Sequence, residues 1–257
     1  MANVLVCVKR VPDVSEQIVV SDDGRSIDTR HLGYTVSTHE ECAVELAVQA
    51  ATATGGEATV LSLGSEDSAE QLRDAIAVGC SRAVLVEADP ERFGPADVAA
   101  AIAGVVRRHA TEGTAYDLVL VGTDAADTGD FQVGMRLAYM LELLVVSGIS
   151  TFEVEDGTVV AHGDGPDGAE TYELARPAVL AIKEGGVTPR YPSIPGRMKA
   201  KRTPIETVTP DVEPVGSGRV RLKLPPEQAS SVEILGEGAE AAPAVVDLLV
   251  RIGVVRR

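Results

Sequence analysis

The chain is organised around one stretch, Asp117 to Met140. Asp117 to Val121 (DLVLV) is a short apolar run of the kind that fits a buried parallel strand, and Gly122 ends it. Thr123, Asp124, Ala125, Ala126, Asp127, Thr128, Gly129 and Asp130 follow, a loop of small, hydroxyl and carboxylate side chains with no large apolar group before Phe131. From Gln132 the pattern turns helical, with Val133, Leu137, Met140 and Leu141 on one face. A strand that passes through such a loop into a helix makes half of a nucleotide site. The first helical turn offers unpaired N–H groups and a positive dipole end to a phosphate. An ordinary strand-to-helix turn satisfies the same pattern, and on this stretch alone the two readings stand side by side. Asp124, Asp127 and Asp130 oppose a phosphate unless main-chain groups make the contact while the carboxylates face water.

A second concentration of chemistry lies at Thr188 to Arg202 (TPRYPSIPGRMKAKR), where Arg190, Arg197, Lys199, Lys201 and Arg202 crowd into an acidic chain. Pro189, Pro192 and Pro195 predict that Arg190 to Pro195 stays out of regular helix. Ile194 is then an exposed apolar tip beside cations, which fits a docking point for an acidic partner. A surface loop whose charges balance nearby carboxylates is the alternative.

Other chemistry is missing. There is no GxxxxGK[ST], GxSxG or HExxH pattern, and no carboxylate pair is marked as acid and base. Gly163 to Gly168 (GDGPDG) spells GxGxxG but sits between two strands, so it reads as a hairpin loop. Cys7, Cys42 and Cys80 are far apart, as are His31, His39, His109 and His162, which indicates neither disulfides nor a zinc site. A formal charge of −16 disfavours nucleic acid and anionic membranes, and 3% aromatics disfavours base stacking. The N-terminus is apolar and then basic, the wrong order for a signal peptide, and no apolar run approaches a membrane span, so a cytoplasmic location is expected. This balance leans toward a carrier or binding subunit.

These groups need a frame. Strands are predicted at Val4–Val8, Ala58–Leu63, Ala83–Val86 and Asp117–Val121. Helices are predicted from the capping box Ser37-Thr38-His39-Glu40 to Gly55, at Ser65–Val78 and at Pro95–His109. Such alternation implies an α/β, Rossmann-like parallel sheet with helices on both faces and ligands at the carboxyl ends of the strands. Cys7, the Ser37 region, Leu63 and Gly122 onward share that edge. After Gly148, the runs 149–154, 158–162, 170–174 and 178–182 read as an antiparallel annex, turning first at Asp156-Gly157. The expected division is an α/β domain at 1–208 and a C-terminal arm at 209–257, ending in an amphipathic helix from Ala239 to Ile252.

With these parts placed, the chain resembles the electron transfer flavoprotein β subunit family over nearly its whole length. The resemblance rests on Val4 to Asp13 (VLVCVKRVPD), on Ser37 to Glu45, on Gly122 to Val133, and on Pro189 to Ser193 continuing to Met198–Lys201, the most specific of the four. It implies a heterodimer with an α subunit that carries most of an FAD site, and an AMP in this chain. Carried over, the AMP contacts are Cys7, Ser37, Thr38, His39, Glu40, Leu63 and Gly122 to Val133. The docking residues are Arg190, Ile194, Pro195, Arg197, Met198 and Lys199, with Ile194 entering a pocket on flavin-dependent dehydrogenases such as acyl-CoA dehydrogenases. Two departures matter. Many relatives carry Asn-Pro-X-Asp/Cys where this chain has Ser37-Thr38-His39-Glu40, which sets His39 toward the flavin. Gln132-Val133-Gly134 is shared with flavin-bifurcating relatives, in which a second FAD replaces AMP. A stand-alone adenine-nucleotide enzyme is the third reading.

Overall fold

The computed structural model describes residues 1–13, 18–226 and 233–255. It divides into two units, Met1–Leu222 and Lys223–Arg257. In the first unit, β1 (Val4–Cys7) is followed by a two-residue ladder of β2 (Val11–Pro12) and β3 (Tyr34–Thr35), then α1 (Thr38–Thr54). Next come β4 (Ala58–Gly64), α2 (Ala69–Val78), β5 (Arg82–Glu87), α3 (Pro95–Thr111), β6 (Leu118–Gly122) and α4 (Val133–Leu141). The chain continues through β7 (Leu144–Val154), β8 (Thr158–Gly165), β9 (Gly168–Ala175), β10 (Ala178–Ile182), α5 (Ile194–Arg202) and β11 (Ile205–Val208). Among its described residues the second unit holds the α-helix α6 (Ala242–Arg251), with Val245 and Val246 half-exposed on it.

Nine strands form one sheet in the order β11-β5-β4-β1-β6-β10-β7-β8-β9. Pairing is parallel from β11 to β7 and antiparallel from β7 to β9. The fold is therefore the α/β, Rossmann-like class that the alternation implies. Successive side chains of a strand point to opposite faces. Val4 and Val6 accordingly join a core under α1 and α2, while Leu5 and Cys7 join another with Ile102 and Val105 of α3 and Leu137 of α4. Burial of both faces explains why these strands are apolar throughout.

Three expectations are corrected. Ala178–Ile182 does not belong to an antiparallel annex. As β10 it lies between β6 and β7, parallel to both, with all five residues buried. Its unbroken apolar run is that of a central strand, and a run alone does not say which neighbours it will have. The strand expected from Ile149 begins at Leu144. Its first half pairs parallel with β10 and its second half antiparallel with β8. The register skips Gly148 at the changeover, where φ is +77°, a left-handed bulge that favours glycine. Finally, helix begins at Ile194, inside the proline-bounded segment. Pro195 falls in the first turn, where a missing N–H costs nothing, and the Ser193 hydroxyl caps the turn by accepting the Gly196 N–H at 3.1 Å.

The first unit extends past Val208. Asp97, near the start of α3, accepts the Gly94 N–H at 2.9 Å and the Gly216 N–H at 2.8 Å, and the Leu222 N–H reaches Gly24 O at 2.7 Å. At the sheet's far edge, β11 is tied down by Glu206, which lies 3.2 Å from Nε2 of the buried His109 and pairs with Arg108. His109 Nδ1 in turn hydrogen-bonds the Tyr116 hydroxyl at 2.8 Å. Among the described residues no helix is long and apolar enough to cross a membrane.

Candidate nucleotide site

The parallel register brings Cys7, Leu63, Val86 and Val121 to one edge of the sheet. Just beyond that edge lie the first turn of α1 and the loop after β6. Ser37 caps α1, and the capping box anticipated from the sequence is present in both halves. Its two members do more than cap. Glu40 Oε2 accepts the Ser37 N–H at 3.1 Å, and Oε1 accepts the Lys9 N–H at 2.9 Å. The Ser37 hydroxyl accepts the Glu40 N–H at 3.3 Å and donates to Asp124 O at 3.2 Å. One helical turn thus fastens both the loop after β1 and the loop after β6.

Close approach makes Gly122 necessary here. A Cβ at that position meets Glu40 Cγ at 2.8 Å, Asp124 O at 3.2 Å and His39 Cβ at 3.3 Å. The end of β10 joins the same edge. The Thr123 N–H donates to Ile182 O at 2.8 Å, and the Glu184 N–H donates to His39 Nδ1 at 3.1 Å. Lys9 Nζ pairs with Asp127 at 2.7 Å, linking the β1 and β6 loops at the surface. Lys9 escaped the sequence reading as a site residue, and its place directly after β1 was the available signal.

Burial pushes the Glu40 carboxyl up to about 8, against the hydrogen bonds from Ser37 and Lys9 that favour its charged form. Burial first, and the Glu40 charge second, push the Cys7 thiol up to about 12. Cys7 is therefore a packing residue and not a nucleophile at neutral pH. Leu63 packs with it in the same buried cluster.

The remainder of the loop splits in two. Ala125 O accepts the N–H groups of Thr128, at 3.2 Å, and Gly129, at 3.0 Å, folding Ala125–Gly129 into a compact turn that leaves Ala126 exposed and Asp130 half-buried. Phe131 has φ +53° and is 61% exposed, while Val133 packs against the α3 and α4 core. Gln132 receives both Nε and Nη2 of Arg136. Thr38 is exposed beside the cap. The contacts thus gather Cys7, Ser37, His39, Glu40, Leu63 and Gly122 to Asp127 at the rim, and Phe131 and Gln132 face outward.

Two atoms at this rim are out of balance. Thr123 Oγ1 and Asp124 Oδ1 are buried and have no hydrogen-bond partner in the protein. Each such orphan costs about 1–3 kcal/mol, and among the described residues Arg10 Nε, Ser62 Oγ, Gln71 Oε1, Arg108 Nε and Arg176 Nε share the condition. On consecutive residues, a hydroxyl and a carboxylate oxygen without protein partners suit a ligand that both donates and accepts, such as a ribose or an adenine edge.

The basic segment lies elsewhere on the chain. Tyr191 is 95% exposed, Ile194 78% and Met198 54%, with Pro195, Arg197 and Lys199 exposed around them. Arg190 is bonded to Glu45 of α1.

A family model described as the electron transfer flavoprotein domain matches residues 26–213. The electron transfer flavoprotein subunit beta of Bacillus subtilis is 31% identical over 260 residues, covering 96% of this chain and 97% of its own. The human subunit of that name is 32% identical over 211 residues, covering 80% and 81%. The caffeyl-CoA reductase-Etf complex subunit CarD of Acetobacterium woodii is 30% identical over 206 residues, covering 79% and 76%.

Proposed function

The chain belongs to the electron transfer flavoprotein family, among its β subunits, and on that premise we propose that it joins an α subunit, completes an FAD site at their junction and holds an AMP of structural role at its own rim. The observation that carries the AMP is the buried pair Thr123 Oγ1 and Asp124 Oδ1, which lack protein partners beside the tight approach at Gly122. These residues fit the adenosine part, and the first turn of α4 offers main-chain N–H groups to the phosphate. The FAD supplies the redox chemistry. This chain's work is to orient and present. Ile194, standing out with Met198 and Lys199, docks on flavin-dependent dehydrogenases such as acyl-CoA dehydrogenases, and of the arm expected at 209–257 the part beyond Leu222, with α6, packs on the α subunit.

A second reading, a further FAD in place of AMP, draws support from Gln132-Val133-Gly134. The test is to purify the chain with its α subunit, release the bound nucleotides and quantify them by chromatography. One FAD and one AMP per heterodimer is the expected result. Two FAD would establish the second reading, and a colourless chain without a partner would overturn both.

A further inference from the structure

Arg190 supplies one of the cations of the docking segment, yet its guanidinium is spent on its own protein. Nε donates to Glu45 Oε2 at 2.7 Å and Nη2 to Oε1 at 2.6 Å. The Arg190 main-chain N–H adds a bond to Oε2 at 3.2 Å, and Gln49 Nε2 donates to Oε1 at 2.7 Å. Both oxygens of a buried carboxylate on α1 are thereby occupied, and the Arg190 guanidinium holds that carboxyl below its ordinary range. A forked pair of this kind fixes direction as well as distance.

The other end of the segment is anchored independently. A Cβ on Gly196 would lie 2.2 Å from Ala77 O, so the start of α5 rests directly on the end of α2. Ala200, one turn on, is buried, and its carbonyl accepts Arg73 Nη1 at 2.5 Å. Between the two anchors stand Tyr191 and Ile194, both projecting into solvent. The aim of these two side chains is set by the tether at each end.

We propose that Glu45 and Arg190 are a positioning pair for partner docking: they act through the backbone of Tyr191–Ile194 and do not touch the partner through the Arg190 charge. This rests on the docking role given to Ile194 above. Without the pair, docking must re-order two projecting side chains and the loop that carries them, which weakens association about tenfold.

The experiment uses the heterodimer with Glu45→Gln, Ile194→Ala and both together. Electron transfer is measured from an acyl-CoA dehydrogenase reduced by its acyl-CoA, alongside FAD content and the rate of reduction by dithionite. Glu45→Gln should raise the KM for the dehydrogenase about tenfold, by the same ordering argument, while kcat, FAD content and dithionite reduction hold. Combined with Ile194→Ala, it should raise KM by less than the product of the single effects. An unchanged KM in Glu45→Gln while Ile194→Ala raises it overturns the positioning pair alone, as does a fully multiplicative double variant. An unchanged KM in Ile194→Ala overturns the docking role and the pair with it. Should Glu45→Gln fail to fold, Arg190→Gln at the more exposed end carries the same expectations.

Discussion

Replacing Glu40 by glutamine should have an effect on stability that depends on pH. In the folded chain burial raises this carboxyl from 4.5 to about 8, while an unfolded chain leaves it near 4.5. Between those values the folded state keeps a proton that the unfolded state has released. The stability contributed by Glu40 is thus fully present below about pH 4.5 and is lost as pH rises through 8. The slope is about 1.4 kcal/mol per pH unit, so from pH 5.5 to 7.5 the wild type should lose roughly 2.7 kcal/mol relative to a residue that cannot titrate. Protonated, as it is in the fold at pH 5.5, the carboxyl offers one carbonyl to the Lys9 and Ser37 N–H groups, as the new amide does, whereas the ionised form serves both, at 2.9 Å and 3.1 Å. The two proteins should therefore be close in stability below about pH 4.5, and the variant should gain roughly 2.7 kcal/mol on wild type between pH 5.5 and 7.5. Denaturant unfolding followed by circular dichroism at four or five pH values reads the difference directly. Two parallel curves would refute the reasoning, because they would mean that Glu40 titrates alike in both states.

Ile194→Ala should weaken electron delivery from a dehydrogenase while FAD content stays unchanged, as read by steady-state kinetics and the flavin spectrum. Reversing the charge with Lys199→Glu should slow association most at low salt and little at high salt, which a stopped-flow series at varied ionic strength resolves. Gly196→Ala should cost about 1–3 kcal/mol, because its Cβ meets the Ala77 carbonyl and not a flexible side-chain end, and thermal melts would show the loss. Lys9→Ala, by contrast, should change stability by less than about 1 kcal/mol, since its pair with Asp127 is partly solvated.

Much of this was legible because local rules set it. Ser37 and Glu40, three apart at the head of an apolar helix, spell a cap that needs no tertiary help, and both halves formed. The same holds for the glycines that close α1 and α2, and for the hairpin loop at Gly165–Gly168. What could not be read is what depends on distant partners. Nothing in Ala178–Ile182 says that it slots between β6 and β7, and Ile205–Val208 was missed because a short, half-buried edge strand leaves little pattern. Within the candidate site, periodicity and turn chemistry set the strand ends and the Gly122 loop at one edge, and it is the family resemblance that marks them as nucleotide contacts. The inward commitment of Arg190 was hidden, since its acid lies 145 residues earlier. Charge clustering marks a segment as basic without saying which cations are already spent.

The slot taken by β10 bears on how the protein is made. β6 and β7 are synthesised well before residues 178–182, yet neither has its inner neighbour until that later strand arrives. A nascent chain halted near residue 170 therefore carries two open, apolar strand edges facing each other across a gap, the sort of surface that recruits chaperones or neighbouring chains. Premature stop codons upstream of Ala178 should yield aggregates, not a smaller working fragment.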